Sequence, residues 1–260
     1  MNIIFSILLI ALGLVGIFYI RPKTKDKVTE IKFMQTKTIS ELRDMFKQMD
    51  ENGLSDYREY VELKGNVTDD TLTEAPFSNQ KVAYCESTLA QVSEVKERYR
   101  DSQGREQTRV KKVETPISDE KTSQDIFMRD ASSEEKVTLE INASGCSLDI
   151  PKTFDRFENK GSLIGYKYFN SWSLNSLGAE TLGVSMKEKT IKPNQSLYVI
   201  GEAYRVDNTI HIGKPMDKKK PFIVTTKSEE DLINSSNTNA MMALVGGILS
   251  IVIGAIMLFV

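Results

Sequence analysis

One histidine and two cysteines are all that these 260 residues hold of the side chains that most often bind metals or act as nucleophiles. A base–nucleophile pair would have to be drawn from His211, Cys85 and Cys146. No excess of either charge exists, since 34 basic and 36 acidic side chains leave −2, so nothing global points to nucleic acid. No phosphate loop, dinucleotide fingerprint or nucleophile elbow is present, and no fixed-period repeat. The two cysteines suit a reducing compartment, where each packs as a small apolar thiol. One disulfide between them is the alternative if the chain faces the other way.

What the sequence does hold is apolar length at its two ends. Ile3–Ile20 runs 18 residues with no ionisable group except the Tyr19 phenol, and Ala240–Val260 runs 21 with none. A helix needs about 20 residues to cross a hydrocarbon layer of roughly 30 Å, and lipid offers backbone N–H and C=O groups no other partners. Both runs therefore predict transmembrane helices around a soluble domain, 21–239, making a multi-pass membrane protein. A cleaved signal peptide fits the first run poorly, because the basic n-region is missing and it ends Phe18-Tyr19-Ile20-Arg21-Pro22. Arg21, Lys23, Lys25 and Lys27, with Lys32 and Lys37 behind them, form the basic flank that stays inside. That predicts a cytoplasmic domain at the cell membrane and an external N-terminus, with "inside" meaning another compartment if the membrane is an organelle's. Gly246, Ser250 and Gly254 recur every four residues, which allows the two helices to pair or two copies to dimerise.

Between the ends, the pattern changes twice. Thr38-Ile39-Ser40-Glu41 is a capping box, and Ile39, Leu42, Met45, Phe46 and Met49 follow at helical spacing up to Asn52-Gly53. This predicts a short amphipathic helix, 39–51, packed on the domain. Period-two runs then predict strands at 57–67, 82–95, 106–113, 125–128, 137–141, 146–150, 181–189, 196–205, 209–213 and 221–226. Asp101-Ser102-Gln103-Gly104 turns a charged hairpin that projects into solvent, and Asp207-Asn208 turns another. A stretch at 159–175 reads as a loop or variable insertion. Gly65 and Gly201, inside strands, mark bulges or close backbone approaches. The fold class expected is mainly β (α+β): an antiparallel, barrel-like domain with a short N-terminal helix, flanked by two transmembrane helices.

Several segments together carry a family resemblance. Glu62-Leu63-Lys64-Gly65-Asn66-Val67, Ala75-Pro76-Phe77-Ser78 and Val82-Ala83-Tyr84-Cys85-Glu86 are followed by Leu182-Gly183, Glu188-Lys189-Thr190-Ile191 and Leu197-Tyr198-Val199-Ile200-Gly201-Glu202-Ala203. Lys214-Pro215, Pro221-Phe222-Ile223-Val224, Thr226-Lys227-Ser228-Glu229-Glu230 and an apolar helix close the order. The set resembles the GIDE domain, which in mitochondrial ubiquitin ligases lies between two transmembrane helices ahead of a RING finger. The middle, about 114–178, matches loosely, and Val113 stands near the place of an expected Trp. The resemblance implies ubiquitin-ligase activity, but a RING holds two zinc ions, each through four Cys or His ligands. Two Cys and one His cannot supply them, so the expectation is a member without the finger and without ligase activity alone.

Individual residues do not assemble into a reaction. His211 alternates with isoleucines on a strand, and Cys85 follows Val82, Ala83 and Tyr84 on another. Asp44, Asp50, Glu51, Asp56 and Glu59 read as a solvated face, and Lys218-Lys219-Lys220 as a loop or a contact with anionic lipid. No catalytic, cofactor-binding or metal-binding residue is assigned. The function expected is a non-catalytic membrane-anchored interaction module that binds a membrane protein, a peptide or lipid head groups. The alternatives are a component of a ligase system that borrows its finger from another chain, and a hydrolase centred on His211.

Overall fold

The structure, a computed structural model, describes residues 2–22, 24, 29, 33–101, 103–162 and 179–259. Lys23, Lys25, Lys27 and Lys32 of the basic flank, and 163–175 of the expected insertion, lie outside the described residues. Helix α1, Asn2–Val15, continues through a π-helical turn at Gly16–Ile20. β1 (Thr36–Lys37) leads into α2 (Ile39–Glu51). The strands β2 (Glu59–Val67), β3 (Thr73–Glu74), β4 (Lys81–Val82), β5 (Tyr84–Arg100), β6 (Glu106–Lys121), β7 (Ile126–Arg129) and β8 (Val137–Leu139) follow. β9 (Cys146–Asp149), β10 (Lys152–Asn159), β11 (Ala179–Ile191), β12 (Ser196–Val206), β13 (Thr209–Gly213), β14 (Phe222–Thr225) and helix α3 (Glu229–Phe259) complete the chain.

Five strands close a barrel in the order β2–β7–β8–β13–β12, with β12 pairing back onto β2 from Ser196↔Asn66 to Ala203↔Glu59. Closure removes the free edges that an open sheet would expose. Alternate residues fill the interior: Val61 and Leu63 from β2, Ile126 and Met128 from β7, and Leu139 from β8. Leu197 and Val199 from β12 and Ile212 from β13 complete it. The apolar stripe of α2, Ile39, Leu42 and Phe46, joins the same core. A side chain at Gly65 would put its Cβ 2.6 Å from the Arg129 carbonyl oxygen, and one at Gly201 would lie 2.9 Å from that of Gly213. Both glycines are therefore close backbone approaches between paired barrel strands, β2 with β7 and β12 with β13.

A second sheet, β10–β11–β5–β6, is antiparallel throughout and rooted in the barrel core by Ala83, Tyr84 and Ile191. Leu89, Val184 and Met186 give it a small core of its own. The outer part of the β5–β6 hairpin, 96–100 on β5 and 106–112 on β6, is exposed, as its charge predicted. β10 and the extension of β6 to Lys121 had no period-two signal. β10 is exposed along most of its length, so water masks the alternation that burial would have imposed.

α1 and α3 are long and apolar enough to cross a membrane. They pack antiparallel: a Cβ on Gly13 would meet the Gly247 carbonyl oxygen at 2.5 Å, and one on Gly254 the Ser6 carbonyl oxygen at 2.8 Å. The seam runs through Gly13, Gly16, Ala243, Gly247 and Gly254, whereas Gly246 faces open space. Continuing this register sets Ile20 level with Asn239, so both apolar runs end at one height. The first turns of α3 dock onto the barrel, where Leu232 packs with Tyr198, Ile200 and Ile223.

Candidate functional site

A cleft of about 640 Å³ opens between α2 and the barrel, over a floor that includes Ile39, Phe46 and Ile210. Its walls come from α2, the segment after β2, the β7–β8 connection and the β12–β13 turn. That turn carries Asp207 and Asn208 at φ of 47° and 68°, the left-handed pair that a two-residue hairpin requires. The N-terminus of α2 is fixed at the cleft edge by two devices. Thr38 and Glu41 complete the capping box, and Asp130 of the β7–β8 connection accepts from the Ile39 N–H at 2.8 Å. Burial alone would raise the Asp130 carboxyl, but hydrogen bonds from Ser132 and the Ile39 amide hold it below its ordinary value.

Charge of both signs lines these walls. Arg43 pairs with Glu135 at 3.3 Å, Lys136 with Asp70 at 2.9 Å, and Arg205 with Asp50. Lys136 also stands 4.5 Å above the Phe127 ring. Thr68 donates to Asp70, and with Lys136 this lowers the Asp70 carboxyl. Lys47 and Arg129, also in the lining, have no ion pair among the described residues. Such a cleft can hold a polar or extended ligand by charge-assisted hydrogen bonds over an apolar floor. Its lining holds no His or Cys among the described residues.

The polar cluster around His211 lies elsewhere. Glu140 accepts from the Tyr204 hydroxyl and stands 3.2 Å from His211 Nδ1, while Tyr204 and His211 stack at 5.8 Å. Burial and Glu140 push the Tyr204 phenol up to about 12. Arg58 covers the Tyr204 ring at 4.4 Å and pairs with Glu202 at 3.0 Å. A carboxylate on Nδ1 orients the imidazole, the first half of acid–base chemistry. Cys85 does not join it: this thiol packs with Ala75 and Val82, apart from the cluster. Burial, then Glu188 and Glu86, push the Cys85 thiol up to about 11, and burial pushes Cys146 up to about 12. Both thiols are free. No group of three His, Cys, Asp or Glu side chains among the described residues is placed to hold a metal ion.

The acidic residues of α2 and β2 separate into individual partnerships. Asp44 lies 3.5 Å from Arg43, Asp50 pairs with Arg205, and Glu59 takes Lys37 at 2.9 Å and the Tyr57 hydroxyl. Of the two glycines in the set Gly246, Ser250 and Gly254, only Gly254 has a neighbour on α1 that a side chain would strike. Sequence reasoning missed Arg43, Lys47, Arg129 and Lys136. They come from separate segments and share no spacing, and only the return of the β7–β8 connection onto α2 gathers them.

A family model described as GIDE, E3 ubiquitin ligase, matches residues 94–259, more than half of the chain. No curated protein and no solved structure matches it.

Proposed function

We propose that this chain, which belongs to the GIDE family, is a membrane-anchored interaction module whose ligand-binding surface is the charged cleft between α2 and the barrel. The family is one of E3 ubiquitin-ligase-related domains. α1 and α3 serve as a two-helix anchor at the cell membrane, with the domain cytoplasmic and the N-terminus outside. The cleft carries the reading: Lys47 and Arg129, which form no close ion pair among the described residues, stand beside an apolar floor and suit a segment of a membrane protein or peptide bearing carboxylates. Anchoring at both ends holds this surface near other membrane proteins and raises its effective concentration for them.

The test is proximity cross-linking of the full chain in its native membrane, comparing wild type with Lys47→Glu/Arg129→Glu. A partner set that disappears with this pair, and survives charge reversal at Arg98 on the distant hairpin, supports the reading. Partners indifferent to both substitutions would overturn it.

The family description favours one other reading, a ligase component. Two Cys and one His cannot fill the two zinc sites of a RING, so transfer of ubiquitin would need zinc ligands from outside these 260 residues. A zinc protein that cross-links through the same cleft would identify that arrangement.

A further inference from the structure

The path of α3 over the barrel sets the direction of the membrane relative to one loop. Glu229, the first residue of α3, pairs with Lys64 at 2.9 Å, and Lys64 is level with Tyr198 and Thr225. Leu232 and Ile233 then pack with Tyr198 itself and with Ile200, Ile223 and Tyr60; Ile200 and Ile223 lie two residue pairs, and Tyr60 four, further along the strands. α3 therefore runs back along β14, toward the end where β14 begins. Met34, on the chain arriving from α1, packs at the same place. The segment that precedes β14, Lys214–Lys220, thus lies on the side of the docking point toward which the apolar part of α3 leads.

Distances agree with that placement. Leu232 is about 12 Å along the helix from the start of the apolar run at Ala240. Lys220 is about 10 Å back along the strand direction from Ile223, which packs against Leu232. The segment is held rather than loose. The Met216 amide donates to Glu202 at 3.1 Å, the Lys219 amide to the Asp217 side chain at 2.9 Å, and the Lys220 amide to the Asp217 carbonyl at 3.0 Å. Lys220 stands 4.6 Å above the Tyr60 ring. Asp217 is the acidic group within the turn, and no ion pair engages Lys214, Lys218, Lys219 or Lys220 among the described residues. Met216 beside them is 73% exposed.

We infer that this turn is an anionic-lipid contact: Lys218, Lys219 and Lys220 meet lipid phosphates of the bilayer that α1 and α3 cross, and Met216 inserts at the head-group boundary. Lysines near a negatively charged leaflet are attracted within about a Debye length, roughly 8–10 Å, and an apolar side chain beside them gains by leaving water. The inference rests on the reading of α1 and α3 as membrane spans, and extends it by fixing how the barrel sits on the surface.

The experiment uses the full chain with Cys85→Ala, Cys146→Ala and Met216→Cys, labelled at residue 216 with bimane and reconstituted into nanodiscs. Quenching by head-group nitroxide lipid is compared between phosphatidylcholine alone and discs with about 30% phosphatidylserine. At least about twofold stronger quenching in the anionic discs is expected, abolished by about 0.5 M salt and by Lys218→Glu/Lys219→Glu. Quenching that is absent, or equal in both lipids and unmoved by salt, overturns the inference while the membrane reading stands. Release of the unlabelled full chain from its native membrane by alkaline carbonate would instead overturn the membrane reading, and the inference with it.

Discussion

At the scale of single residues, burial decides the chemistry of both thiols. Cys85, in the interior, and Cys146, partly buried against the core, are pushed up to about 11 and about 12, chiefly because a thiolate would lose hydration there. At pH 8 each is a protonated thiol. Iodoacetamide should modify them on the order of a hundredfold more slowly than a solvated cysteine, with the rate climbing from pH 9 upward. Intact-mass time courses measure this, and fast labelling at pH 8 would contradict the burial. Thr38 is a second residue whose role is local. Its hydroxyl accepts from the Glu41 amide, and Glu41 accepts from the Thr38 amide at 2.7 Å. Thr38→Ala should lower stability by about 1 kcal/mol in urea unfolding at pH 7. The Thr38 amide and hydroxyl lower the Glu41 carboxyl. A depressed carboxylate contributes above its unfolded value and loses that contribution as pH falls through the folded value. The difference between wild type and Thr38→Ala should therefore shrink below about pH 4. A gap that stayed constant in acid would show that Glu41 takes no part.

At the scale of elements, the two apolar helices depend on backbone proximity. A Cβ on Gly247 would lie 2.8 Å from the Gly13 carbonyl oxygen and 2.8 Å from the Ile17 side chain. Between helices in lipid, close van der Waals packing replaces the hydrophobic drive that is absent there. Gly247→Leu should force the pair apart at a cost of about 1–3 kcal/mol, seen as a lower melting temperature in detergent. Gly246→Leu, which faces open space, is the control and should leave melting unchanged. Equal effects at both positions would mean the seam is elsewhere. The four-residue spacing of Gly246, Ser250 and Gly254 signalled a packing face, but which of several small residues meets α1 depends on the rotation of α3. Docking of Leu232 on the barrel holds that rotation from outside the apolar run.

At the scale of the whole molecule, α3 joins the barrel to the apolar helix pair as one continuous helix. Leu232 is 7% exposed in its contact with Tyr198, Ile200 and Ile223, and Glu229 holds Lys64 beside it. Leu232→Ala should free the first three turns of α3, read as faster hydrogen exchange over 229–239 with the barrel amides unchanged. Exchange that is unchanged in both places would show that this docking does not set the orientation of the domain. Much of this organisation was legible beforehand. Two uncharged ends, a capping box and repeated period-two runs each report a local constraint, since a long apolar helix, a helix terminus and a half-buried sheet demand their residue types within a few positions of one another. The hairpins at Asp101–Gly104 and Asp207-Asn208 were legible for the same reason. The cleft was not. Arg43, Arg129 and Lys136 line one cleft because α2 packs on the barrel core, where Asp130 reaches across 91 positions to cap it at Ile39. His211 likewise meets Glu140 only through the pairing of β13 with β8. The sequence by itself determined the apolar ends, the helix and most strands, because those follow from neighbours along the chain. Barrel closure and the partners of each charge were decided by tertiary structure, because they depend on contacts between segments far apart in sequence.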